Sequence, residues 1–141
     1  MSEIKIVMII LLLGFNSVLD IKRRQISLVL TAVIGLVGIV VRIWERQPWG
    51  ELGLSLIPGV VFVLLAYVTE ESIGYGDAWV LLSVGCYLSF KEMLTMCMSA
   101  LCLAGVTALF LYIFLHKKKN YEMPFIPFLF IGYLSMGGFC A

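Results

Sequence analysis

The chain carries only two aspartates, Asp20 and Asp77, and each stands at the edge of a long apolar stretch. The other acids are Glu3, Glu45, Glu51, Glu70, Glu71, Glu92 and Glu122. Two apolar segments separate Asp20 from Asp77, an even number. If both cross a membrane, the two carboxylates emerge on the same side whichever way the chain is inserted. Carboxylates a few ångströms apart cannot both ionise easily and share a proton near neutral or mildly acidic pH. Such a pair can run acid–base hydrolysis, one member taking a proton from water while its protonated partner donates to the carbonyl under attack. This chemistry requires no metal and no cofactor. The structural alternative is that short polar residues commonly end helices and that Asp20 merely pairs with Arg23 or Arg24.

Asp77 stands last in Ser72-Ile73-Gly74-Tyr75-Gly76-Asp77. Gly74 and Gly76 leave the backbone without Cβ atoms just ahead of the acid, so an extended peptide can approach the carboxylate closely. Pro124 and Pro127 flank Phe125 at the head of the last apolar segment. They fix how that segment begins, although proline also suits the first turn of any helix.

The elements that must position these groups follow from composition. Of 141 residues, 62% are hydrophobic and 13% charged, with a mean hydropathy of +1.05. One core cannot hide that much apolar surface, which excludes an ordinary water-soluble globule. In lipid only helices or a closed barrel satisfy the backbone, and the long apolar runs select helices. The charges divide the chain into six apolar segments, 4–19, 26–41, 52–68, 78–90, 93–115 and 125–141. The expected fold is all-α, a polytopic membrane helix bundle of about six transmembrane helices in one domain, 1–141. The fourth segment is short, reaching about 20 Å against a hydrocarbon core of about 30 Å. The first segment lacks a small-x-small cleavage site and reads as an uncleaved span.

A net charge of +1 makes no electrostatic case for nucleic acid. Cys86, Cys97, Cys102 and Cys140 form no Cys-x-x-Cys pair and the chain has one histidine, His116, so a zinc site is not expected. With the N-terminus outside, the inner loops hold Lys22, Arg23, Arg24 and Lys117 to Lys119, against Lys5, Arg42, Arg46 and Lys91 on the outer side. That bias favours both termini outside and both aspartates at the cytoplasmic face.

Three stretches together resemble the type IV prepilin peptidase family, membrane aspartic proteases that remove the leader from pilin-like precursors. Asp20-Ile21-Lys22-Arg23-Arg24-Gln25-Ile26-Ser27 is similar to the family's Asp, basic residues and Ile-Pro-Asn, with Ser27-Leu28 standing for Pro-Asn. Gly74-Tyr75-Gly76-Asp77 matches GxGD, and Pro124-Phe125-Ile126-Pro127-Phe128 matches Pro-Phe-x-Pro-Phe. Trp79 stands where a lysine is common in the family. The small single-domain form is similar to the peptidases of tight-adherence (Flp-type) pili and to archaeal preflagellin peptidases.

The resemblance implies that Asp20 and Asp77 are catalytic, supported by Gly74, Gly76, Pro124, Phe125 and Pro127. It implies a substrate with a basic leader ahead of an apolar helix, which Glu70 and Glu71 could attract. A solvated interfacial turn is the other reading of those two acids. Methylation of the new N-terminus, which larger members perform, is not expected without the paired Cys-x-x-Cys motifs. Membrane-level carboxylates also mark ion or proton paths, so a small transporter or channel subunit is an alternative. A non-catalytic pilus or secretion assembly subunit is another.

Overall fold

The computed structural model describes residues 2–23, 25–70, 75–116 and 124–136. These form six helices and, among the described residues, no strand: α1 (Ser2–Arg23), α2 (Leu28–Trp44), α3 (Trp49–Val68), α4 (Tyr75–Gly85), α5 (Phe90–Phe114) and α6 (Ile126–Ser135). The expected all-helical membrane bundle is borne out, with three helices, α1, α3 and α5, long and apolar enough to cross a bilayer.

Local chemistry sets the boundaries. Ser27 opens α2 by accepting a hydrogen bond from the Leu30 amide at 3.4 Å, which satisfies one of the amides a helix start leaves unpaired. Ser89 and Glu92 form a reciprocal capping box at the start of α5, with the Ser89 amide donating to Glu92 Oε2 at 2.9 Å. That box separates α4 from α5. Pro48 precedes α3 in an extended conformation, and Trp44 and Trp49 are both exposed around this turn.

The short helix α4 lies at the centre. It packs mainly on α2 and α3, with lighter contact to α1 and α5, and buries Ala78, Val80, Leu81, Ser83, Val84 and Gly85. Eleven residues reach about 16 Å, too little to cross a hydrocarbon core of about 30 Å. Its backbone is therefore solvated by neighbouring helices. Ser55 on α3 donates to the Gly85 carbonyl at 2.8 Å, and Ser83 donates to the Thr31 carbonyl on α2 at 2.9 Å. The Tyr87 hydroxyl donates to the Ile34 carbonyl. Arg42 is buried on α2 and donates to the Cys86 and Leu88 carbonyls just beyond the α4 C-terminus, at 3.2 and 3.0 Å. A β-carbon at Gly85 would stand 2.9 Å from the Ser55 carbonyl oxygen, so only glycine permits this approach.

Around that centre, α6 packs on α5 and α1, and α3 also meets α5. The α5–α6 contact closes at Gly132, against Met96, Ser99 and Ala100. At the end remote from the aspartates, Lys5 of α1 pairs with Glu45 beyond α2.

Helix ends differ from the expected segments in three informative places. Asp20 does not close the first helix, because α1 continues to Arg23; the positive charges of Lys22 and Arg23 suit the carbonyl end of a helix. Asp77 does not precede the fourth helix but sits in its first turn, where a carboxylate suits the amide end. The fourth helix then stops at Gly85 rather than at Phe90, since Ser89 caps the next one.

Candidate functional site

Asp20 lies in the last turn of α1, half-buried, one turn beyond Asn16 on the same face of the helix. Asn16 is fully buried, and its amide joins α1 to the start of α2. Its Oδ1 accepts from the Ser27 amide at 3.1 Å, and its Nδ2 donates to Thr31 Oγ1 at 3.2 Å. Thr31 Oγ1 in turn donates to the Ser27 carbonyl at 2.8 Å. The short segment after Asp20 is therefore fastened close to α1.

Ile26, at the end of that segment, packs against the start of α4. A β-carbon at Gly76 would stand 3.1 Å from Ile26 Cγ1 and 3.4 Å from Ile26 Cβ, so any larger residue there must push the Ile26 side chain aside. The motif containing Asp20 and the one containing Asp77 thus touch directly, through the residue before Ser27 and the residue before Asp77.

The two carboxylates are brought together at one end of the bundle. Asp77 stands ahead of the apolar run that begins at Ala78, and its pKa is pushed up to about 7 from 3.8. Burial is the larger cause, because it penalises the ionised form, and the nearby charge of Asp20 adds to it. A carboxyl that holds its proton near neutral pH, beside a second carboxyl, has the makings of an acid–base pair.

The remaining motif residues divide. Pro124, Phe125 and Pro127 are half-buried at the head of α6, where Phe125 stacks on Phe62 of α3 with ring centroids 5.5 Å apart. Phe62 lies less than two turns before the C-terminus of α3, so this stack is at the aspartate end of the bundle. Glu70 follows the C-cap of α3, exposed and with positive φ, also at that end. Gly74 and Glu71 lie outside the described residues.

Sequence reasoning missed Asn16, Thr31, Ser83 and Arg42. Asn16 had a usable signal, a polar amide within an apolar segment and four residues before an acid. Thr31 and Ser83 had none, because a hydroxyl in an apolar helix can bond to its own backbone.

No curated protein and no solved structure matches the chain. The sequence model of the type IV leader peptidase family matches residues 6–139. With Asp20 and Asp77 gathered at one end of a membrane helix bundle and the family's pattern running through nearly the whole sequence, the chain belongs to the type IV leader peptidase family.

Proposed function

We propose that this protein is an aspartic endopeptidase that cleaves the leader from type IV prepilin-like precursors at the cytoplasmic boundary of the membrane, using Asp20 and Asp77. The observation that carries the reading is the half-buried Asp77 carboxyl, its pKa pushed up by burial and by the nearby charge of Asp20. One carboxylate takes a proton from the attacking water while the protonated partner donates to the scissile carbonyl oxygen, so the tetrahedral intermediate forms without a free oxyanion. Collapse of that intermediate returns a proton to the leaving amine. The pair titrates as a unit, so neither residue alone is the base.

Glu70 supplies negative charge at the same end, suited to a basic leader, and Glu71 follows it in sequence. Gly76 lets Ile26 pack against the backbone just before Asp77. Single-domain organisation over 1–141, and an orientation with both termini outside, belong to the same proposal.

The test is cleavage of a coexpressed prepilin in membranes, read as a gel shift, with wild type, Asp20→Asn and Asp77→Asn at matched protein levels. Cleavage by the wild type that each substitution abolishes is expected. Cleavage that survives either substitution sinks the pair.

A further inference from the structure

Among the described residues, Asn16 is the buried side chain from which two separate connections lead to α4. The first runs from Asn16 Oδ1 to the Ser27 amide, one residue along to Ile26, and by packing from Ile26 onto Gly76, the neighbour of Asp77. The second runs from Asn16 Nδ2 to Thr31 Oγ1, and from the Thr31 carbonyl to Ser83 Oγ on α4. One connection meets α4 at its first turn and the other six residues after Asp77. A helix held at two heights by the same neighbour can neither slide nor tilt freely against it.

The hydrogen-bond directions are mutually consistent. Thr31 Oγ1 spends its own hydrogen on the Ser27 carbonyl, so it is free to accept from Asn16. The Ser27 amide precedes the first turn of α2 and needs an acceptor from outside that helix. Only a side chain with both a donor and an acceptor serves both partners, which an amide does and a carboxylate or an aliphatic group does not. The Asn16–Thr31 bond is buried from water and the Ser27–Asn16 bond partly so, where an unpaired partner is costly.

We propose that Asn16 is a positioning residue that sets the separation between Asp20 and Asp77. Its consequence for catalysis rests on the two-aspartate reading above. Its geometric content stands apart from that reading.

The experiment measures geometry first. In full-length protein with Cys102→Ser and Cys140→Ser, the pair Asp20→Cys and Asp77→Cys is treated in membranes with a short bifunctional thiol reagent. Intramolecular cross-linking is read from the intact mass. Adding Asn16→Leu is expected to slow cross-linking at least about fivefold, a loss on the scale of one side-chain hydrogen bond. Thr31→Val, which keeps the shape and removes the hydroxyl, is expected to slow it less, while Thr31→Ser restores the rate. Should Asn16→Leu fail to fold, the Thr31 pair still decides. Equal rates in Thr31→Val and Thr31→Ser, or in Asn16→Leu and its parent, overturn the proposal, as does a parent pair that does not cross-link.

With the aspartates intact, Asn16→Leu is expected to lower kcat for leader cleavage and leave KM unchanged, because the substrate's distant contacts are untouched. A wild type that cleaves no prepilin defeats the proposed function while the cross-linking result keeps its meaning.

Discussion

Ile26 rests on Gly76 so closely that a β-carbon there would stand 3.1 Å from its Cγ1. The contact joins the two acid-bearing motifs, and it makes Gly76→Ala a test of their mutual fit. Overpacking of this kind costs about 1–3 kcal/mol. Gly76→Ala is expected to reduce leader cleavage at least about tenfold, in line with that cost. Ile26→Val removes the terminal methyl nearest Gly76, so the double variant is expected to regain much of the loss. A double variant no better than Gly76→Ala would show that the contact is not what limits the site.

The pH profile of cleavage should fall on its alkaline side around the raised value of Asp77, about 7. In the proposed mechanism the pair works with one proton between its members, so loss of that proton removes the acid. Rates measured in proteoliposomes from pH 5 to 9 are expected to drop about tenfold per unit once above that midpoint. A rate flat to pH 9 would contradict it.

Stability should respond in the same direction. The Asp77 carboxyl has the ordinary value of 3.8 when unfolded and is pushed up to about 7 when folded. Between those values the folded chain binds the extra proton, so stability falls as pH rises and the penalty is complete above about 7. Asp77→Asn carries no charge to bury. It is expected to raise Tm at pH 8 by about 4 °C or more, the shift that roughly 1 kcal/mol gives a chain of this size, and to change it little at pH 4. Equal shifts at both pH values would remove the charge from the explanation.

Arg42 acts at the other end of α4, where it donates to the Cys86 and Leu88 carbonyls. Arg42→Met leaves both carbonyls buried without that donor, at about 1–3 kcal/mol. The expected result is a lower Tm in detergent, with leader cleavage per folded molecule within about twofold of wild type, since a remote cap contributes to folding rather than to the transition state. A large loss of specific activity at normal stability would be the contrary outcome.

Orientation has its own check. Lys22 lies in the last turn of α1, Lys91 in the first turn of α5, and both are exposed. Introduced as Lys22→Cys and Lys91→Cys, they are expected to react with impermeant thiol reagents from the cytoplasmic and outer faces respectively. Three helices, α2 to α4, lie between them, so labelling of both from one face would contradict the proposed orientation.

The bundle and its two acids were legible in sequence because both follow from coarse quantities: apolar length sets the helices, and the parity of segments sets the side on which Asp20 and Asp77 emerge. Helix ends were not legible to the residue. Segments cut at charges stop at Leu19 and start at Ala78, yet both acids lie inside helices: Lys22 and Arg23 suit the carbonyl end and carry α1 past Asp20, while the Asp77 carboxylate suits the amide end of α4. The polar frame was the least legible part. Ser83, Thr31 and Ser55 look like any hydroxyl in an apolar run, and only the fold shows that they bond across helices. Arg42 was counted as a loop charge for topology, whereas the structure buries it against the end of α4.

Among the described residues, the side-chain hydrogen bonds that cross between helices fall within α1 to α4. The contacts of α5 and α6 are of another kind, apolar packing and the close approach at Gly132. Directional bonds fix one register, while dispersion contacts between helices in lipid tolerate small displacements. The fold is accordingly stiff on one side and compliant on the other. The acids ride on the stiff side, so displacement of α5 and α6 leaves their separation undisturbed.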